Sequence, residues 1–208
     1  RFERTGHPRD LTWITVGAQG SRGRVPGTLE ELGVPGLVTR WIAGHLETVK
    51  TFLRLAEDGR LEMHRMAQGI QTFLLEGQAK GEYSIVTSTG VGTLLDPRVD
   101  NGTPVVAGVG ESLITVEGDQ LRYSLPPVEC AIFNAPYADA EGNIYKRNAA
   151  TVTEDRESSM AARKNGGKVL ACVGEVIPKS EGEIFIPADL VDAIVVNPWN
   201  EQTGSIPQ

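Results

Sequence analysis

The stretch Ser84-Ile-Val-Thr-Ser-Thr-Gly-Val-Gly-Thr-Leu-Leu-Asp-Pro-Arg98 reads as a buried strand that runs into a Gly-x-Gly turn and then an Asp-Pro-Arg corner. An open α/β sheet places its ligand site at such a point, because the loops beyond the carboxyl ends of the strands form the crevice. The hydroxyls of Thr87, Ser88 and Thr89 fall at that end. Gly90 and Gly92 lack the Cβ that would keep a substrate's polar atoms away from backbone N–H groups.

Outward from this stretch, strand-like and helix-like segments alternate. Leu11 to Val16 is a β-rich run closed by Gly17 and Gly20, Gly20 to Gly27 is a polar loop with two arginines, and helix-like Thr28 to Gly33 precedes the apolar run Leu37 to Ala43. Leu46 to Glu57 spaces Leu46, Val49, Phe52, Leu53 and Leu55 along one helical face, and Gly59 marks its end. Leu61 to Ala67 alternates as a strand, Ile70 to Glu76 is helical, and Tyr83 to Thr89 is a strand again. Strands separated by short helices predict an α/β fold, an open and mainly parallel sheet with helices on both faces.

Beyond Arg98 the chain is rich in Gly, Pro and Val as far as Gly118, with a polar tip at Asp100-Asn-Gly-Thr103. Short β segments at Leu121 to Leu125, Glu129 to Ala135 and Asn143 to Lys146, separated by Pro126-Pro127 and Ala140-Glu-Gly-Asn143, predict an antiparallel β excursion. Thr153 reads as an N-cap, with Glu154, Asp155 and Glu157 favouring the first turn of a helix that ends at Asn165-Gly166-Gly167. Strands follow at Lys168 to Val176 and Leu190 to Asn197. One domain over 1–208 is the simplest partition.

The chain has 208 residues, 40% of them hydrophobic and 23% charged, with a net charge of −7. That balance excludes a basic stripe for nucleic acid or an anionic membrane surface. No apolar run approaches the ~20 residues of a membrane span. Cys130 and Cys172 sit in apolar runs and read as two reduced core thiols, which implies a reducing compartment: the cytoplasm, or the mitochondrial matrix in a eukaryote.

Several chemistries are excluded by their missing signatures. There is no Gly-x-Gly-x-x-Gly, no phosphate-binding loop and no Gly-x-Ser-x-Gly elbow. His7, His45 and His64 lie far apart with no Cys-x-x-Cys, so no metal site is expected. His45, between Gly44 and a helix-like segment, is either a polar residue near a helix start or a site-lining group. Gln68, between an apolar strand and Gly69, either caps the following helix or offers an uncharged donor to a reacting oxygen. Asp96-Pro97-Arg98 taken alone reads as a common solvated corner.

With Met66-Ala-Gln-Gly69 and Ile42-Ala-Gly-His45, the Thr87 to Thr93 segment resembles the amino-terminal, α-type half of a family I CoA-transferase, the group that contains acetate, propionate and 3-oxoacid CoA-transferases. The resemblance runs from Gly6-His-Pro-Arg-Asp-Leu-Thr12 to Lys179 and the Leu190 to Val196 strand. It implies that Gln68 is the supporting catalytic residue, reaching the carboxylate nucleophile. It also implies that Gly44, His45, Gly69, Thr87, Ser88, Thr89, Gly90, Gly92 and Thr93 line the substrate site.

The resemblance further implies a ping-pong reaction through a glutamyl-CoA thioester, with acyl-CoA and a small carboxylic acid as substrates. Coenzyme A enters as a substrate, with no permanently bound cofactor. The family's Gly-Gly-Phe-Gly-x-x-Gly-x-Pro-Glu segment is expected upstream of Phe2, and its Glu-x-Gly-x-Gly nucleophile on a complementary β-type half. Glu76, Glu117, Glu141 and Glu181 each precede Gly without continuing that pattern. An oligomer is therefore expected. A sugar-phosphate isomerase, which works through a lysine and clustered carboxylates, and a noncatalytic scaffolding domain are the alternatives. No lysine flanks the turn, and a scaffold has no need of Gln68 or of the Thr-Ser-Thr-Gly-x-Gly-Thr segment.

Overall fold

The computed structural model describes residues 1–17, 28–147, 149 and 153–200. The polar loop expected at Gly20 to Gly27 lies outside the described residues. Two compact units emerge, one formed by Arg1–Gln71 with Ser84–Leu125 and the other by Thr72–Tyr83 with Pro126–Gln208. No helix among the described residues is long and apolar enough to cross a membrane.

In the first unit a short helix α1 (Phe2–Thr5) precedes β1 (Leu11–Thr15), β2 (Val38–Ala43), α2 (Lys50–Glu57) and β3 (Glu62–Arg65). The strands form a parallel sheet in the order β1-β2-β3, with Ile14 opposite Ile42 and Ile42 opposite His64. Parallel strands require long connections, which here pass through α2 and the 3₁₀ turn Leu29–Leu32. Neighbours on β2, Trp41 and Ile42 point to opposite faces and are both wholly buried. Trp41 meets Phe52 of α2 edge to face, with centroids 5.0 Å apart, and its indole N–H donates to Thr15 Oγ1 at 3.0 Å.

Helix α3 (Gln68–Lys80) follows β3, and β4 (Ser84–Thr87), β5 (Ile114–Glu117) and β6 (Gln120–Ser124) come next. These three strands make a separate antiparallel sheet, β4-β6-β5. The reading of Ser84 to Thr89 as a buried strand of the parallel sheet is thereby corrected. A strand enclosed between helices is apolar on both faces. β4 has only Ile85 and Val86 to bury, and it lies half-exposed against Tyr123 and Arg122 of β6.

The second unit centres on β7 (Cys130–Asp139), which pairs antiparallel with β8 (Ile144–Tyr145) and parallel with β9 (Lys168–Ile177). Helix α4 (Asp155–Lys164) precedes β9 and packs Ala162 with the inner faces of β7 and β9. β10 (Ile184–Ile186) and β11 (Ala193–Val196) complete a mixed sheet in the order β10-β8-β7-β9-β11. Glu129 to Ala135 is thus not part of the antiparallel excursion. It opens a ten-residue strand in mid-sheet whose Ala131, Phe133 and Ala135 face the core.

That alternation turns Cys130 outward, so it is an exposed free thiol, and Cys172 is a half-exposed one. A core position for both is corrected: in a strand, residues 130, 132 and 134 share one face and 131, 133 and 135 the other. The cap of α4 also differs, since Glu154 is the N-cap and Thr153 donates its hydroxyl to Asp155 at 3.1 Å.

One contact ties distant segments of the first unit. Val49, the N-cap of α2, makes no side-chain cap bond. The 3%-exposed Glu30 supplies one instead, accepting the N–H groups of Lys50 at 2.9 Å and Thr51 at 2.8 Å. A carboxylate there satisfies orphan donors and complements the helix dipole. Glu30→Ala is expected to lower the unfolding free energy by about 2 kcal/mol. Urea denaturation with an unchanged m-value checks this, and a loss below about 0.5 kcal/mol would show the cap to be dispensable.

Candidate functional site

The carboxyl ends of β1, β2 and β3 come together because the strands are parallel and in register. β1 ends at Thr15 just before Val16, β2 ends at Ala43 before Gly44 and His45, and β3 ends at Arg65, from which Met66 and Ala67 lead into Gln68, the first residue of α3. Met66 N–H bonds to Ala43 O at 3.0 Å and extends the pairing past the strands. A Cβ on Gly44 would lie 3.4 Å from Met66 O, 3.5 Å from Val16 O and 3.5 Å from Gln68 Cβ. Gly44 is therefore the point where all three strand ends meet.

There His45 Nε2 lies 3.2 Å from Gln68 Oε1. Gln68 and Gly69 are exposed, and a Cβ on Gly69 would meet nothing within 4 Å, so the helix start stands open. The buried Gln71 donates its amide to Met66 O at 3.0 Å and holds the β3–α3 junction. Two of the expected site residues, His45 and Gln68, are in contact, and Gly44 and Gly69 adjoin them in the chain.

The other expected residues, Thr87, Ser88, Thr89, Gly90, Gly92 and Thr93, form a self-knit turn after β4. Thr89 N–H bonds to Thr87 Oγ1 at 3.2 Å, Val91 N–H to Ser88 O at 3.1 Å and Thr93 N–H to Gly90 O at 3.1 Å. Gly92 N–H donates to Asp96 Oδ2 at 2.9 Å. These N–H groups are committed within the turn. Its exposed residues are Ser88, Thr89, Val91, Gly92 and Thr93, and the Thr93 hydroxyl donates to Gly90 O at 2.7 Å. Gly90 has φ +89°, and a Cβ there would fall 2.2 Å from the hydroxyl of Tyr123, which donates to Thr89 O at 2.7 Å.

Asp96 is buried, not a solvated corner residue. It accepts Arg98 Nε at 2.8 Å on one oxygen and Arg98 Nη2 at 2.8 Å on the other, besides Gly92 N–H. The Arg98 guanidinium, followed by the Gly92 N–H, holds its carboxyl well below the usual carboxylate range. Arg65, the last residue of β3, spans from the strand end to the turn. It donates to Leu94 O at 3.1 Å, Gly102 O at 3.0 Å and Asp100 at 2.8 Å. This guanidinium ties the end of β3 to the loop that follows the Gly-x-Gly turn. Sequence reasoning missed Arg65 and Tyr123, because no local pattern announces a side chain that bonds to backbone carbonyls 29 to 37 residues away.

Beneath the loop, the wholly buried His64 lies 2.6 Å from Glu62 Oε1 and 2.9 Å from Thr103 Oγ1. Burial pushes the imidazole below its ordinary value, against the pull of Glu62. A neutral ring then donates from Nε2 to the carboxylate and accepts the Thr103 hydroxyl at Nδ1. Among the described residues no three His, Cys, Asp or Glu side chains are grouped as a metal ion would require.

The family described as Coenzyme A transferase matches residues 8–197. A caffeate CoA-transferase from Acetobacterium woodii is 31% identical over 201 residues, covering 94% of this chain and 38% of that protein. The crystal structure of the acyl-CoA transferase YdiF from Escherichia coli O157:H7, a thioester complex with CoA, superposes with a TM-score of 0.88 at 28% identity, over 97% of this chain and 42% of that one. Glutaconate coenzyme A-transferase from Acidaminococcus fermentans shares the fold, with a TM-score of 0.66 at 20% identity over 95% of this chain and 65% of that one. The chain spans about two fifths of the length of the curated relatives it matches.

The clamp on the turn has a pH signature. A carboxyl whose folded-state pKa lies below its unfolded value stabilises the fold above the unfolded value and loses that contribution as pH falls towards the folded one. The stability difference between wild type and Asp96→Asn is therefore expected to be constant above about pH 5 and to shrink steadily below about pH 4. Paired urea titrations across that range check it. A difference that stays flat down to about pH 3 would mean that Asp96 gains nothing from its charge.

Proposed function

The chain belongs to the Coenzyme A transferase family, and from that premise we propose that it is the α-type half of an enzyme moving CoA between an acyl-CoA and a short-chain carboxylate or 3-oxoacid. The observation that supports this reading most directly is the position of Gln68. An uncharged amide opens α3 at the shared carboxyl end of the parallel strands, beside His45 and Gly44. Strand ends of this kind are where open α/β sheets bind ligands.

In the proposed reaction a glutamate on the complementary β-type half attacks the thioester carbonyl of the acyl-CoA. The CoA thiolate leaves, and a mixed anhydride forms. The thiolate then attacks the glutamyl carbonyl, releases the first carboxylate and leaves a glutamyl-CoA thioester. A second carboxylic acid takes the CoA by the same steps in reverse. Each step develops charge on a carbonyl oxygen, and a preorganised donor that adds no charge lowers the barrier.

In this reading Gln68 is that donor, or orients the nucleophile through the same bond. The Gly90 to Thr93 turn, held by Asp96 and Tyr123, forms a wall against the acyl group. Coenzyme A is substrate and product and not a resident cofactor. The complete enzyme joins this half with its β-type complement and works as an oligomer in the cytoplasm, or in the matrix of a mitochondrion.

Two measurements test the proposal. Exchange of labelled acetate into acetyl-CoA by the purified chain should stay at background and appear when the complementary half is added; robust exchange by the chain alone would place a nucleophile on it. In the assembled enzyme Gln68→Ala should lower kcat by about 10- to 1,000-fold with little change in CoA binding. Gln68→Glu should be slower still, since a second carboxylate raises the pKa of the first and repels an anionic acid. If instead melting temperatures fall while turnover per folded molecule is preserved, Gln68 is only a helix cap.

A further inference from the structure

We propose that Val91 and Leu94 are specificity-determining residues that select an acyl group whose tail carries no charge. The proposal rests on the reading of the Gly90 to Thr93 turn as a wall of the acyl site.

Two consecutive turns build that wall. Thr93 N–H bonds to Gly90 O at 3.1 Å, which puts Val91 and Gly92 at the centre of the first, and Asp96 N–H bonds to Thr93 O at 3.0 Å, which puts Leu94 and Leu95 at the centre of the second. Gly92 has φ +74°, which glycine adopts without strain, and so closes the first turn directly behind Val91. Val91 and Leu94 are each the first central residue of a turn, and both are exposed, Leu94 by 52%. Leu95 is partly buried, with its Cβ 3.6 Å from where a Cβ on Gly90 would lie.

The backbone that carries the exposed pair is cross-linked. Gly92 N–H donates to Asp96 Oδ2 at 2.9 Å and Leu95 N–H to Thr93 Oγ1 at 3.3 Å, while Leu94 O accepts from Arg65 at 3.1 Å. An apolar group laid against Val91 and Leu94 removes their surface from water, and little backbone entropy is lost because the turns are already fixed.

Charge points the same way. The guanidiniums that hold this loop already have carboxylate partners: Arg98 meets both oxygens of Asp96 at 2.8 Å, and Arg65 meets Asp100 at 2.8 Å. A second carboxylate at the end of an acyl chain would lose water against Val91 and Leu94. Wherever it approached either guanidinium it would also meet Asp96 or Asp100, so the loss of water would go uncompensated. An alkyl, 3-oxoalkyl or aryl tail incurs neither cost. The wall thus separates acyl groups of equal length by the charge on the tail.

Butyryl-CoA and succinyl-CoA, acyl donors of equal chain length, probe this in the assembled enzyme with labelled acetate as acceptor. Wild type should show kcat/KM about 100-fold or more higher for butyryl-CoA, the scale of an unpaired polar group pressed against apolar surface. Leu94→Ala should lower kcat/KM for butyryl-CoA about 10-fold and leave acetyl-CoA, whose single methyl offers little to bury, within about twofold. Leu94→Arg, which adds a cation without a built-in partner, should raise kcat/KM for succinyl-CoA about 10-fold.

Comparable use of butyryl- and succinyl-CoA by wild type would overturn the selection against charge. Equal losses with acetyl- and butyryl-CoA in Leu94→Ala, or a loss cured by more of the complementary half, would overturn the specificity role and make Leu94 a contact between halves. No exchange by the wild-type assembled enzyme from any of the three donors would instead overturn the transferase reading on which the proposal rests.

Discussion

Strand β2 carries Trp41 and Ile42 side by side, both wholly buried, and from that double burial follow the positions of Gly44, His45 and Gln68. A strand closed off on both faces cannot slip by one residue, because the slip would exchange every side chain between faces. Its parallel neighbours are locked with it, Ile14 on one side and His64 on the other being opposite Ile42. All three strands consequently deliver their carboxyl ends to one edge. Gly44 completes the effect: a side chain there would press on Val16 O, Met66 O and Gln68 Cβ together.

Away from that core, polar locks do what apolar packing does elsewhere. The loop 94–104 has little to bury, and it is held by Arg65 on two of its carbonyls, by Asp96 on Gly92 and by Thr103 on His64. Each of these groups is costly if left unpaired inside the protein, so each enforces its partner's position. The same device recurs in the second unit. Burial works against the ionised Asp139, yet the Asn143 and Tyr145 side chains and the N–H groups of Asn143 and Glu141 hold its carboxyl at about 2. It thereby pins the turn between β7 and β8. Turns fixed by a carboxylate that stays charged at any physiological pH are insensitive to modest acidification.

How far the sequence discloses this molecule depends on whether a residue's environment is local. The α/β class, β2, β3, α2, α3 and α4 are legible, because each carries a periodic apolar face or a clear end signal such as Gly59 or Asn165-Gly166. The sheet to which a strand belongs is not local. Ser84 to Thr87 has β character, and nothing within four residues announces that β6 rather than β3 pairs with it. β7 was legible as a strand but not as the middle of a sheet, since its partner β9 lies beyond a helix. At the site, Gly44, His45, Gln68 and the Gly-x-Gly turn stand out through motif. The hold of Arg65 on the loop after that turn does not, because a long basic side chain on carbonyl oxygens leaves no pattern along the chain.

The site's electrostatic character follows from what lies at its centre. The groups at the junction of the strand ends are an amide and an imidazole, while the charged side chains nearby are tied to fixed partners, Arg65 to Asp100 and Arg98 to Asp96. The proposed reaction would bring a carboxylate nucleophile and an acid substrate, both anions, together beside a chain whose net charge is −7. A further carboxylate would raise the barrier to their approach. A bare ammonium would stabilise the anions before the reaction as much as during it, so it would lower the ground state with the transition state. A neutral donor with a fixed direction contributes chiefly where charge builds up on a carbonyl oxygen. Direction is then the property that matters, and in an amide, whose two ends are alike in shape and opposite in polarity, it has to be imposed from outside the residue. At the end of β2 the His45 imidazole lies 3.2 Å from the oxygen of the Gln68 amide.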